Sequence, residues 1–353
     1  MKKNRMPILL LLIDNLIWVI LVVVVALFSI FNSRYLTEPN LVDILVTASV
    51  LGILVVGQTF VLITGNFDLS AEGVVGLSAG IAVWLQGAAG QPTFGSGWHV
   101  NVVFAFVALF AVGAATGTIN GFLITKVKMN NFIVTLAMMI VLEGMLPALS
   151  TGSTMSGAPA SFNWLGTATI GTFPICGIVL IITFVGAHLV LKHRPFGRDL
   201  YAIGGNPQAA FASGINPNRR VYQAYIISGI LAAFAGLILE GQVQSVPADL
   251  GNGMIFMVFA AAVIGGISLQ GGRGNIIGAF GGVLLLAAIT DGLNLLAVDV
   301  YFTSIIEGLI ILAAVFLDTQ KTRLHRIVEG KRAIQALHDA AMAAGEAVAI
   351  PPL

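Results

Sequence analysis

The sequence predicts an all-α polytopic membrane protein of about ten transmembrane helices, and three observations predict it. Of the 353 residues 57% are apolar, and Lys and Arg number only 17 against 16 Asp and Glu. A soluble domain carries about 25% charged residues; at 9% this chain has too little charge to solvate a water-borne globule or to stay disordered. The third observation is the punctuation: polar, Gly and Pro clusters cut the chain into ten apolar runs. At about 20 apolar residues per crossing of a hydrocarbon layer about 30 Å thick, the apolar content suffices for about ten helices.

Taken in order, the first run, 8–31, follows Lys2, Lys3 and Arg5 as in a signal peptide. It continues past twenty residues with no small-residue cleavage site, which makes it a retained anchor. The second, 41–64, carries a polar row, Gln58, Thr59 and Thr64, continued by Asn66. The third, 70–87, begins at Ser70 with Glu72 in its first turn. Runs 100–125 and 131–149 flank Lys126 and Lys128, and Glu143, Gly144 and Pro147 predict either an interrupted helix in the latter or a kink that aids packing. Runs 173–191 and 222–241 bracket a long polar connection; 254–269 and 275–292 overlap the densest glycines, at 265–282, which would let helices approach closely. Thr290, Asp291 and Asn294 make a second polar row, and 300–317 closes the set. The strings GNFDL at 65 and GGISL at 265 share Gly and Leu at an offset of 200, a trace of two related halves.

Basic residues resist translocation and mark cytoplasmic segments. With ten crossings and an inner N-terminus, 16 of 17 fall inside and only Arg34 outside, so both termini are expected in the cytoplasm. The transmembrane unit is 1–318. Residues 319–353 form a cytoplasmic tail in which Leu324, Ile327 and Val328 predict a short surface helix.

The inner connection 192–221 contains a short helix by its punctuation: Asn206 as cap, Pro207 in the first turn, Gln208 to Ser213, then Gly214. Six residues cannot sustain a helix alone in water, so it packs on its own bundle or on a partner. Ala209, Ala210, Phe211 and Ile215 give it a small apolar face with an aromatic anchor.

QAAFASG in this connection resembles the E-A-A-x-x-x-G coupling motif of ATP-binding-cassette importer permeases, with Gln208 where Glu is usual. RPFGRDLYAIGGNPQAAFASGIN resembles the same loop in the ribose-type branch, which carries ribose, xylose and galactose. GQTFVLITGNFDLSAEGVVGLSA, NNFIVTLAMM, and AAVIGGISLQGGRGNIIGAFGG with DGLNLLAVDVYFTSIIEGLIILAAVFLD resemble further segments of that branch, together covering about residues 45–318. Asn66, Phe67, Glu72 and Asp291 depart from its usual residues. The resemblance implies a permease fold of the ribose type in a bacterial inner membrane. It implies a partner ATPase carrying ATP and Mg, a periplasmic sugar-binding protein, and a second permease subunit, identical or not. It places coupling at Phe196, Gly197, Arg198, Gly205, Asn206, Gln208, Ala209, Ala210, Gly214 and Ile215. Asn66, Asp68, Glu72 and Asn294 are expected along the path of a sugar or polyol.

A charge at mid-bilayer costs about 2.5 to 3.5 kcal/mol on insertion scales, so Asp14, Asp68, Glu72, Glu143, Glu240, Asp291 and Glu307 each need water, a partner or an interface. Asp68 and Glu72, four apart, would share a helix face and repel unless wet. They would either accept hydrogen bonds from sugar hydroxyls or cap the helix that starts near Ser70. A proton-coupled carrier using Asp68, Glu72 or Glu143 as a relay is the alternative function, and a passive channel a third. No phosphate-cradling G-x-x-x-x-G-K-[ST], nucleophile motif or metal pattern occurs, so catalytic, metal and cofactor residues are expected to be none. The net charge of +1 leaves no nucleic-acid footprint, and the single Cys176 excludes an intrachain disulfide.

Overall fold

A computed structural model describes residues 16–87, 100–299, 301–313 and 316. Residues 8–15 of the first run, with Asp14, and the tail 319–353 lie outside the described residues. In chain order the elements are α1 (Leu16–Phe31), α2 (Glu38–Leu62), α3 (Ala71–Gln86), α4 (Val102–Thr125) and α5 (Asn131–Ser150), then β1 (Met155–Ser156), α6 (Ala160–Thr167), β2 (Thr169–Ile170) and β3 (Phe173–Pro174). They continue as α7 (Ile175–His193), α8 (Pro195–Gly205), α9 (Pro207–Ala212), α10 (Pro217–Val243), β4 (Ser245–Val246), α11 (Met254–Ile264), α12 (Ile276–Leu295) and α13 (Tyr301–Ala313).

Each of the ten apolar runs holds one apolar helix. Among the described residues six helices, α2, α4, α5, α7, α10 and α12, are long and apolar enough to cross a membrane. The chain is a multi-pass helical membrane protein. Its helices start where local chemistry tells them to: the side chains of Asn101, Asn130, Asn206, Asn216 and Asn275 each accept a backbone N–H of the turn they precede, and Pro stands in the first turn of α2, α8, α9 and α10. Asparagine relieves an orphan donor there, and proline has no donor to lose.

The interruption predicted in α5 is not formed. That helix runs continuously through Pro147. Proline removes a single N–H bond, and here it falls in the last turn, where left-handed Thr151 (φ 52°) returns its own N–H to the Pro147 carbonyl.

The core is organised around α2. Of its most apolar window 83% is buried, against 28% for α4 and 22% for α5. The outer helices instead present side chains such as Phe104, Val107, Ile140 and Ile182 on the molecular surface, which hydrocarbon can cover. The glycines act as expected where helices cross. A Cβ on Gly113 of α4 would strike the Gly229 carbonyl of α10, and one on Gly229 would strike the Gly113 carbonyl; Gly265 and Gly278, flanking α11 and lying in α12, block one another in the same way. Beyond the α5–α6 turn, β1 pairs antiparallel with β4 (Met155 opposite Val246) and β2 with β3 (Ile170 opposite Phe173). α6, which the sequence pattern did not announce, packs on α10. With the Asn163 amide nitrogen turned toward it, the fully buried Glu240 carboxylate accepts bonds of 3.0 and 3.2 Å.

Candidate functional site: an exposed short helix above a buried polar turn

The connection between α7 and α10 folds into two helices where one was expected. α9 forms as its punctuation predicts: Asn206 Oδ1 accepts from the N–H groups of Gln208 and Ala209, both at 3.0 Å, and Gly214 closes the turn at φ +87°, which costs other residues strain. Its apolar face divides in two. Ala210 is buried and Ile215 half-buried against the core, whereas Gln208, Ala209 and Phe211 are exposed, Phe211 by 68%.

α8 was missed, although Gly197, Leu200 and Ile203 are buried at helical spacing after Pro195. Phe196 packs on Phe60 of α2 at 6.1 Å between centroids, and Arg220 lies 5.7 Å over the same ring while its guanidinium pairs with Asp199 at 2.7 Å. Gly197 sits so close to Leu191 that a Cβ would meet backbone, and Arg198 is exposed. Tyr201 donates to the Gly274 carbonyl at 3.0 Å; burial raises its phenol above the ordinary range, which keeps the hydroxyl a donor. Gly205 is exposed at the α8–α9 junction.

Below this connection lies the turn between α2 and α3, residues 63–70, on which long-range polar contacts from α4, α5 and α10 converge. Asp68, 1% exposed, accepts from Ser70 Oγ at 2.6 Å and from Ser228 Oγ of α10 at 2.7 Å. Asn120 of α4 donates to Ser70 Oγ at 2.8 Å, and Tyr225 of α10 donates to the Phe67 carbonyl at 2.7 Å. With the Gln58 amide turned to suit, it brackets the Asp68 peptide, donating to the carbonyl at 3.1 Å and accepting from the N–H at 3.2 Å. Asn66 donates to Thr64 Oγ1 and accepts from Asn131 at the start of α5, both at 2.8 Å. A buried carboxylate is tolerable only when its lone pairs are so engaged.

This geometry corrects the expectation that Asp68 and Glu72 share a wet helix face. Asp68 precedes α3 and turns toward α10. Glu72, 5% exposed, points to the next helix instead and accepts from Gly253 N–H at 2.7 Å and Ile255 N–H at 2.8 Å, capping the N-terminus of α11. The Gln58, Thr59 and Thr64 row is buried as well, the two threonines bonding to carbonyls of their own helix. Asn294 is exposed at the end of α12, away from this cluster. Two cavities of about 350 and 370 Å³ are lined by residues such as His188, Lys192 and Tyr201, and Phe122, Lys126 and Arg219; none of Asn66, Asp68, Glu72 or Asn294 lines either. Each of the four departures from the ribose-type pattern has a partner in the fold: Asn66 has Asn131, the Phe67 ring lies 5.9 Å from that of Phe259 at a tilt of 54°, Glu72 has α11, and Asp291 accepts from Asn40 at 2.8 Å. Ser70, Asn120, Asn131, Tyr225 and Ser228 escaped the sequence reading because each is ordinary in its own helix. Among the described residues no group of three or more His, Cys, Asp or Glu is placed to hold a metal ion.

The family described as "Branched-chain amino acid transport system / permease component" matches residues 40–315. The ribose import permease protein of Bacillus subtilis (strain 168) is 36% identical over 304 residues, 86% of this chain and 91% of that protein. The ribose import permease protein of Escherichia coli (strain K12) is 34% identical over 305 residues, covering 85% and 92%. The galactose/methyl galactoside import permease protein of the same strain is 32% identical over 314 residues, covering 86% and 94%. No solved structure matches.

Proposed function

This chain belongs to the branched-chain amino acid transport system permease family, and from that membership we propose that it is the transmembrane permease subunit of an ATP-binding-cassette importer for a sugar or sugar-like polyol. In this reading ten helices cross a bacterial inner membrane with both termini in the cytoplasm, the basic loops supplying the sidedness. A soluble periplasmic protein delivers the solute, a second permease subunit completes the path, and a separate ATPase carries ATP and Mg. The sugar class is carried over from relatives whose names specify ribose and galactose import.

The observation that carries the coupling assignment is α9. Its cap, its buried Ala210 and its half-buried Ile215 hold a six-residue helix to the bundle, and that leaves Phe211 projecting at 68% exposure. A rigid aromatic on a short anchored helix fits a groove on a second protein. Closure of the ATPase pair would press on α9 and bias the path between outward and inward openings, because the two permease states would bind the closed ATPase with different affinity.

The alternative of a proton relay at Asp68, Glu72 or Glu143 has less support at the first two, since both carboxylates already hold structural hydrogen bonds.

The test is uptake into vesicles containing the chain, its ATPase and its binding protein. Phe211→Ala should lower both ATP-driven uptake and ATPase association about tenfold, a loss of about 1.4 kcal/mol of contact. Unchanged uptake would remove the coupling assignment. Uptake driven by a proton gradient without any ATPase would replace the whole reading.

A further inference from the structure

We propose that the backbone contact of Gly204 with Ile63 and Gly272 is the point at which movement of α9 enters the membrane core, which makes Gly204 a positioning residue for transport. The inference rests on the permease reading above. It begins with an unpaired group. Ile63 ends α2 and is fully buried, so its carbonyl, one of the orphan acceptors at a helix C-terminus, must find a donor. It finds the Gly272 N–H, 2.8 Å away, in the turn between α11 and α12. Gly272 reaches it at φ +70°, a conformation that other residues adopt only under strain.

The last turn of α8 closes over this bond. A Cβ on Gly204 would strike both the Ile63 carbonyl and the Gly272 nitrogen. Three backbones, from α2, α8 and the α11–α12 turn, therefore meet with no side chain between them. Tyr201, one turn earlier on α8, holds the same turn by its bond to the Gly274 carbonyl at 3.0 Å.

Two residues beyond Gly204 the cap of α9 begins, and Ile63 itself opens the polar turn that binds α4, α5 and α10. A displacement of α9 along its attachment to α8 is transmitted to that turn with little loss, because close-packed peptide groups cannot deform as rotatable side chains can. The strings at 65 and 265 that share Gly and Leu are the two turns brought together here, with Gly65 lying against Gln270 and Gly271.

The experiment measures solute taken up per ATP hydrolysed in vesicles holding the full assembly. Gly204→Ala should leave ATPase association and hydrolysis within twofold of the unaltered chain and lower uptake per ATP at least tenfold. Gly186→Ala, in α7 where an added Cβ meets open space, should keep the full ratio. A merely structural loss would reduce the amount of assembled protein and both rates in parallel, leaving the ratio unchanged; that result, or a ratio equal to the unaltered chain's, overturns the proposal. If Gly204→Ala does not assemble, Tyr201→Phe decides the matter, since it adds no volume: a threefold or greater fall in the ratio supports the link and an unchanged ratio overturns it. Should the unaltered chain show no ATP-driven uptake at all, the permease reading fails, an outcome distinct from failure of the link.

Discussion

α9 and the turn at 63–70 are both polar interruptions of an apolar chain, and they hold their shape by opposite means. α9 is organised by residues within ten positions of itself, Asn206 at one end and Gly214 at the other, and it keeps most of its side chains outside. The 63–70 turn is mostly inside, and its partners come from α2, α4, α5, α10 and the α11–α12 turn, the farthest in sequence being Gly272, which bonds Ile63. The difference teaches that an exposed helix can be specified locally, whereas a buried joint exists only once the bundle has formed.

The sharpest way to break this comparison is Asp68→Ala. It removes acceptors for Ser70 and Ser228 in a dry site, where bonds to a charged group contribute about 1.5 to 3 kcal/mol each. The detergent-solubilised chain should lose about 3 kcal/mol or more of stability, read as a lower thermal midpoint; an unchanged midpoint would mean that the turn is not a joint. Glu72→Gln follows, expected to cost about 2 kcal/mol, because the amide keeps one acceptor oxygen and sets its NH2 against the other N–H at the start of α11. Hydrogen exchange at Gly253 and Ile255 should accelerate. Asn206→Ala should cost about 1 kcal/mol, confined to α9 and visible as faster proteolysis of 206–215. Smallest in stability is Phe211→Ala, within about 0.5 kcal/mol for the chain alone, although transport by the assembled importer should fall as stated above. If Phe211→Ala instead destabilised the isolated chain, the division between outward and inward roles would not hold.

The same contrast explains how much of the molecule was legible beforehand. Ten apolar runs gave ten apolar helices because hydrophobic length is a local property, and α9 was placed because caps and breakers are adjacent in sequence. α8 carried a readable signal, Pro195 followed by Gly197, Leu200 and Ile203, that was hidden by the surrounding polar residues. The interrupted helix expected at Pro147 failed because a proline one turn from a helix end removes little. Asp68 and Glu72 stood out by charge, but nothing nearby in sequence says that one turns toward Ser228 and the other toward the N–H groups of Gly253 and Ile255. Distance in sequence, not weakness of the signal, separates what could be read from what could not.

The link at Ile63 and Gly272 is a carbonyl meeting an amide, and those two groups are the same in every polypeptide. Such a hinge pin has no side chain that can be swapped to suit one cargo over another. If motion passes through that contact as proposed, it does so alike for every solute, and a preference among solutes would have to be written elsewhere, in side chains that substitution can change.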